Sequence, residues 1–358
     1  MKVGILTFHR ALNYGAVLQC YALQKVLESR GCDAEIIDYR QAWIEEFYKF
    51  FSPGIFMSQK TLSEKSGYIR NRLKKFLFAP RKRRHFKDFR DAYLKMSAAC
   101  GSKDIPQDYG LYIIGSDQLW SLHCLGGQAD DVFRAMFARP QGSHVAAYAV
   151  SADMKSLQAQ RGEIASWAGN FDLLSMRERE TASAFTSICS RECEACLDPT
   201  LLTDRDMWEN VIDDKWKKRR YVLMYEVRWK KDTKGLMRRR AEELAGSIGG
   251  CEVIDLSRVN YSVRDFVSLF KYAQCVVTSS FHGTVFSILF GTAFWALPLW
   301  DNYDLRYREL LGSLGLEDRF LEDGRIPEPR EIDWESVKHK LSELRASSLK
   351  YLDKCLSL

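Results

Sequence analysis

The chain has 358 residues, 46% of them hydrophobic and 28% charged. That composition excludes a disordered or fibrous protein, and no apolar run reaches the length of a membrane span. The net charge of +6 is uneven: Arg70–Arg90 holds ten Lys/Arg against one Asp, a net of +9, which leaves the remainder at −3 and excludes a uniformly basic chain.

The length suits two α/β domains better than one core. Met1–Phe8 is too short, and too soon followed by polar residues, for a signal peptide, so a cytoplasmic protein is expected. Ten scattered cysteines then read as reduced thiols. Cys189, Cys193 and Cys196 form a C-x3-C-x2-C cluster with no fourth ligand at a familiar spacing, so no metal is expected there.

Lys2–Phe8 reads as the first strand. Asn13, Tyr14 and Gly15 are turn formers, and Ala16–Arg30 reads as a helix with Val17, Leu18, Tyr21 and Leu27 on its inner side. Gly31 stops it, and Ala34–Tyr39 is the second strand. The result is a βαβ unit whose loop sits at a strand's carboxyl end. The spaced glycines of a dinucleotide fingerprint are missing. Residues 41–98 read as a helical, aromatic-rich insertion that carries the basic segment, with Phe76, Phe78, Phe86, Phe89 and Tyr93 among the charges. Two readings stay open for it: an amphipathic layer with a solvated basic face, or a surface for an anionic saccharide or membrane-bound glycolipid. No nucleic-acid motif accompanies it, so no nucleic acid is expected as partner.

Leu111–Asp117 is a core strand that ends in Gly115-Ser116-Asp117-Gln118, a second polar turn at a carboxyl end. Asp117 suits a base, an orienter of a sugar hydroxyl, or a helix cap. Val145–Ser151 and Leu173–Met176 read as further strands, the latter leading into Arg177 and Glu178. An Arg there serves an anion or an ordinary ion pair. The polar 203–220 stretch reads as the link to a second series, with strands Tyr221–Val227, Glu252–Leu256, Cys275–Thr278 and Ala293–Pro298 and helices Thr233–Gly246 and Val263–Tyr272. Trp334–Leu356 is a last helix without a strand. Domains are therefore expected at 1–202 and 203–333, facing a cleft, with 334–358 packing back on the first.

The strongest stretch is Cys275–Gly291, a buried strand, a polar turn and an apolar helix stopped by Gly291. Ser279 and Ser280 are capping types, and Gly283 lets backbone approach a ligand. His282 is thereby placed at a strand's carboxyl end and a helix's amino end, where anions and ligands bind. Beside two hydroxyls it suits proton transfer on a phosphorylated substrate, or it only satisfies a buried turn.

Taken in order, Gly4–His9 with Asn13–Gln19, Ile114–Trp120, Ser175–Glu178, Asp198–Leu202 and Ser280–Thr284 resemble the polysaccharide pyruvyl transferase family over nearly the whole chain. The resemblance implies a fold of two Rossmann-like domains similar to the B-type glycosyltransferases. It implies transfer of pyruvate from phosphoenolpyruvate, as a ketal, onto a sugar of a bacterial surface polysaccharide or exopolysaccharide precursor. It also implies that the His282 turn (Ser280, Phe281, Gly283, Thr284) and Arg177 hold the donor. Where members of this family often carry Arg two residues before the histidine, this chain has Ser280, and Arg306 or Arg177 is expected to compensate.

Phosphoenolpyruvate carries a carboxylate and a phosphate, which call for cations and oriented N–H groups. His282 is expected as the acid/base group or as a donor to the leaving phosphate, and Arg177 as the anion clamp. Asp117, with Asn13, Tyr14, Gly15 and Ser116, is expected to face the acceptor saccharide, free or lipid-linked. No cofactor or metal is required, since Arg, His and a helix end can neutralise the charge. Two other functions fit the same residues: a glycosyltransferase using a nucleotide sugar, and a non-catalytic saccharide-binding protein.

Overall fold

The computed structural model describes residues 1–49, 56–57, 61–67, 69, 79–227, 233–257, 261–299, 304–322 and 331–358. The basic stretch from Arg70 to Phe78 lies outside them.

Two parallel sheets make an α/β fold of two Rossmann-like units. The first has the order β2-β1-β3-β4-β5-β6. Its strands are β1 (Lys2–Leu6), β2 (Asp33–Ile36), β3 (Leu111–Asp117), β4 (His144–Val150), β5 (Ser175–Met176) and β6 (Glu194–Ala195). The second has the order β10-β9-β7-β8, from β7 (Tyr221–Tyr225), β8 (Glu252–Asp255), β9 (Cys275–Thr278) and β10 (Phe294–Ala296). Register is set by apolar pairs, with Ile5 opposite both Ile36 and Ile113, and Val276 opposite Leu223. β3 and β9 are buried along their length because helices cover both faces, so they read as continuous apolar runs.

Strand order fixes where a ligand crevice lies. The chain leaves β1 for β2 on one side and later returns to β3 on the other; it does the same from β7 to β8 and then β9. Each sheet therefore reverses direction at one point, between β1 and β3 or between β7 and β9, and crevices form outside the strand ends there. The segments at those two points are Thr7–Asn13 with the Ser116-Asp117 end of β3, and Glu226-Val227 with Ser279-Ser280 before the helix that carries His282.

The helices follow from local chemistry. In α1 (Tyr14–Ser29) the Asn13 side chain accepts from Gly15 N–H and so starts the helix two residues before the expected Ala16. α2 is Ala42–Tyr48 and α3 is Ala79–Tyr93. α4 (Met154–Ala159), α5 (Arg161–Ala168) and α6 (Arg179–Cys189) cover the β4–β6 side. The second unit has α7 (Thr233–Ser247), α8 (Val263–Tyr272), α9 (Phe281–Phe290) and α10 (Leu305–Leu314). A capping box of Ser262 and Asp265 opens α8, and Gly291 in the left-handed conformation closes α9.

The units are joined by an aromatic seam. Tyr14 stacks on Phe266 at 4.6 Å, and Trp208 packs between Tyr21 and Phe286. The 203–220 stretch is thus more than a polar link: Trp208, Val211, Ile212 and Trp216 are buried in it, a wedge hidden among charges in the sequence. α3 is amphipathic, with Phe86 packed on Tyr14 and Phe89 on Tyr21 while Arg81, Arg83, Arg84 and Lys87 are exposed. The last helix, α11 (Trp334–Leu356), begins beside the second unit, where Lys340 reaches the Leu314 carbonyl at 3.4 Å. It ends on the first, where the Tyr351 hydroxyl donates to the Ala147 carbonyl at 2.8 Å and Asp353 accepts from Arg30 at 2.7 Å.

Candidate functional site

The two crevices touch. Gly15, in the first turn of α1, lies against the imidazole of His282, in the first turn of α9; a Cβ at Gly15 would fall well inside contact with that ring. Only glycine leaves the room, so the two crevices share a wall at this point.

His282 and Arg177 converge on one carboxylate. Arg177 Nη2 is 2.9 Å from Asp198 Oδ2, and His282 Nε2 is 3.4 Å from the same oxygen. The side chains of Asp198 and Arg177 are 0% and 3% exposed, while that of His282 is 12% exposed. Burial would raise the Asp198 carboxyl, but Arg177 and His282, with a hydrogen bond from Thr200, hold it below the usual carboxylate range. Asp198 is fixed by the Asp-Pro-Thr turn after β6, where its Oδ1 accepts from Thr200 N–H at 3.0 Å and from the Thr200 hydroxyl at 2.6 Å. Among the described residues, Nε and Nη1 of Arg177 have no partner. A buried guanidinium with two unpartnered nitrogens and one counter-charge can pair with a further anion.

A cleft of ≈ 640 Å³, open mouth included, borders this cluster, lined among others by Arg177, Glu178, Asp198, Phe281, Arg306 and Glu309. Arg177 and Arg306 both stack on the Phe281 ring, at 5.2 and 5.6 Å. Two guanidinium groups therefore flank the residue next to Ser280, and Ser280 itself caps α9, accepting from Gly283 N–H at 3.2 Å. Burial pushes the Glu178 carboxyl up, while Arg177, Arg306 and the Ser151 hydroxyl, which donates at 2.7 Å, pull it down. Across the cleft Glu309 accepts from the N–H groups of Arg179 and Glu180 at 2.6 and 3.0 Å, and so caps α6.

Several residues expected to face a substrate are packed instead. Tyr14 is buried and donates to the Tyr261 carbonyl at 2.7 Å. Ser116 is buried; its hydroxyl donates to the Ala149 carbonyl at 2.6 Å and accepts from Arg177 Nη2 at 2.7 Å, so it holds the guanidinium rather than a sugar. Gly283 is the close-packing point of α9 on Thr278, where a Cβ would clash with the threonine hydroxyl, and Thr284 is buried beneath the helix. The Tyr14 and Ser116 hydroxyls looked free in the sequence because their partners, the Tyr261 and Ala149 carbonyls, lie far along the chain. Asn13 is exposed and serves as the α1 cap. Asp117 has φ of +90°, rare for a side-chain-bearing residue, and accepts from Gln118 N–H at 2.8 Å. Asp198 was missed as a site residue; its signal was the Asp-Pro-Thr turn, but only folding shows which groups share its carboxylate.

The ten cysteines are free thiols. Burial raises Cys193, and raises Cys196 to about 12. Among the described residues there is no group of three or more His, Cys, Asp or Glu placed to hold a metal, and no helix is long and apolar enough to cross a membrane.

A family model described as polysaccharide pyruvyl transferase matches residues 13–301. A comparison with curated protein sequences gave no match. Similar solved structures include a spinosyn forosaminyltransferase, with 11% identity, a TM-score of 0.43 and 100% of both chains covered. A UDP-GlcNAc 2-epimerase from Neisseria meningitidis bound to UDP-GlcNAc has 9% identity and a TM-score of 0.42, over 99% of this chain and 94% of that one. A UDP-GlcNAc 2-epimerase from Methanocaldococcus jannaschii in complex with UDP-GlcNAc and UDP has 11% identity and a TM-score of 0.39, over 97% of this chain and 100% of that one.

Proposed function

The chain belongs to the polysaccharide pyruvyl transferase family, and from that premise we propose that it transfers pyruvate from phosphoenolpyruvate onto two hydroxyls of a saccharide as a cyclic ketal. The observation that carries the reading is the convergence of Arg177 and His282, from different sheets, on the buried Asp198. One carboxylate balances one arginine there, so an incoming carboxylate or phosphate meets the Arg306 guanidinium, the amino end of α9 and the unpartnered nitrogens of Arg177. Arg306 and Arg177 supply the charge that Ser280 does not.

The chemistry needs few groups. The methylene carbon gains a proton, one hydroxyl adds to the neighbouring carbon, the C–O bond to phosphate breaks, and the second hydroxyl adds. One hydroxyl proton ends on the new methyl group and the other on the released phosphate. Asp198, kept ionised, favours the His282 proton on Nε2, which leaves Nδ1, on the Gly15 side, to take a proton from a hydroxyl. Once charged, the ring is a donor for the leaving phosphate. The first unit's crevice, with Asp117 and Asn13, is the acceptor side in this reading, and the precursor is made in the cytoplasm.

The test is a thermal-shift and turnover panel. Phosphoenolpyruvate should raise Tm, and nucleotide sugars should not. His282→Ala should lower turnover by roughly 10²–10⁴-fold with a smaller change in donor affinity. Arg177→Gln, checked for folding, should weaken donor binding by about 1.5–3 kcal/mol. Stabilisation by a nucleotide sugar alone, or wild-type turnover in His282→Ala, would overturn the reading.

A further inference from the structure

A second cation cluster lies away from the donor cleft. Arg10 and Leu12 in the β1–α1 loop, Arg40 after β2, Glu45, Tyr48 and Lys49 at α2, and Arg83 and Arg90 of α3 line a cavity of ≈ 250 Å³. That is far above the ~10–15 Å³ one water needs. Arg90 is only 6% exposed, and among the described residues its Nε and Nη1 have no partner. An unpaired buried guanidinium costs several kcal/mol unless something answers it.

The surrounding charges do not answer it. Asp38 is spent on others: it accepts from Arg10 Nε at 2.7 Å, from Arg10 Nη2, from Arg40 Nη2 at 3.1 Å, and faces His9 Nε2 at 2.9 Å. Glu45 lies 3.9 Å from Arg40, Lys49 is paired with Glu46, and Arg83 donates to the Tyr48 carbonyl. Four arginines thus face Asp38 and Glu45, an excess of positive charge among the described residues. Burial and the adjacent Arg10 pull the Arg90 guanidinium below its ordinary value, against the weaker opposite pull of Asp38 and of Asp91, a half-exposed carboxylate already paired with Lys87.

We propose that this cavity is a phosphate-binding site, formed by Arg10, Arg40, Arg83 and Arg90, that takes a phosphate or diphosphate group. Guanidinium forks converging from a strand-end loop, a strand-end turn and a helix match tetrahedral oxyanions better than a single carboxylate does. The site shares the β1–α1 loop with Gly15, the residue against His282, so a phosphorylated acceptor held here would extend toward the shared wall of the crevices. That last step rests on the transferase reading; the anion site does not. Two sources offer the chemistry: a diphosphate in solution and the diphosphate headgroup of a lipid-linked saccharide.

The experiment is calorimetric titration of the full chain with inorganic pyrophosphate at low and high salt. Binding that weakens with salt is expected. The double variant R40A/R83A, at outward-reaching side chains, should weaken it at least tenfold, and Arg90→Gln should do so without loss of the thermal transition. Arg177→Gln should leave the R40A/R83A-sensitive binding event intact, whatever pyrophosphate the donor cleft also takes. Co-flotation with vesicles that carry a polyprenyl diphosphate, and not with plain phosphatidylcholine vesicles, would assign the lipid source; titration without co-flotation would assign the soluble one. No pyrophosphate binding by the wild type, wild-type affinity in R40A/R83A, or loss of binding in Arg177→Gln would overturn the site. None of these outcomes depends on turnover, so the site and the transferase reading fail separately.

Discussion

Asp198 and Asp38 sit in matching surroundings up to a point. Each is buried, each faces a histidine and at least one arginine, and each follows a strand of the first sheet. Burial would raise either carboxyl. Hydrogen bonds from His9 and Arg10 outweigh it at Asp38, and Arg177 with His282 outweighs it at Asp198, so both are held below the usual carboxylate range. The difference lies in what is left over. At Asp38 the histidine is spent: His9 Nδ1 faces the Thr7 carbonyl at 3.1 Å and Nε2 faces Asp38, with the ring fully buried. The arginines there remain in excess. At Asp198 the arginine is balanced and the histidine keeps one open edge. Under the proposed chemistry, the same three residue types offer only charge at Asp38, and at Asp198 add a proton carrier, His282, beside the Arg177 clamp.

The sharpest way to break that comparison is to neutralise each aspartate. Asp198→Asn leaves Arg177 buried and unpaired, which should cost about 3–5 kcal/mol of stability in urea melts. Asp38→Asn should cost less, about 1.5–3 kcal/mol, because the Arg10 and Arg40 side chains are 19% and 39% exposed and water takes over part of the bonding. It should also tighten pyrophosphate binding, since it enlarges the positive excess. Equal costs, or weaker pyrophosphate binding in Asp38→Asn, would mean that the two clusters are not of different kinds.

A smaller perturbation tests the open edge of His282. Gly15→Ala adds one methyl group where the imidazole now lies, so the ring or the loop must shift. Overpacking of this kind costs about 1–3 kcal/mol in stability. Turnover should fall by about tenfold or more while phosphoenolpyruvate affinity, which the proposal assigns to Arg177 and Arg306, stays near wild type. An unchanged turnover number would show that the ring's position against Gly15 is irrelevant to the chemistry.

These contrasts were only partly legible in the chain. Cys275–Thr278, Val263–Tyr272 and Trp334–Leu356 have the expected bounds, because apolar period and capping residues agree there. β6 was invisible: Glu194–Ala195 has no apolar run and is a strand only by pairing with Ser175–Met176. The His282 turn could be read because strand, cap and helix are contiguous. The Arg10, Arg40 and Arg90 cavity could not, since three elements far apart in sequence bring the guanidinium groups together, and the charge run in α3 drew attention to its outer face. Tyr14 and Ser116 misled for the opposite reason: local sequence shows a hydroxyl but not its partner, and the fold had already supplied one.

The smallest expected effect concerns Glu178, at the border of the donor cleft. If it were ionised, Arg177 would be doubly neutralised and would lose its value as an anion clamp. Burial pushes this carboxyl up, against the pull of Arg177, Arg306 and Ser151. A carboxyl whose folded value lies above the unfolded one, near 4.3, favours the folded state fully only below that pH. Stability is then lost as pH rises toward the folded value and stays lower beyond it. Glu178→Gln keeps an oxygen to accept from Ser151 and removes the ionisation. It should therefore match wild type near pH 4 and be equal or more stable at pH 7.5, by about 1 kcal/mol or less given the cost of its extra buried N–H donors. Urea melts at the two pH values decide it. A variant that loses stability relative to wild type as pH rises would mean that the fold favours the charged form of Glu178, and that Arg177 already has its anion.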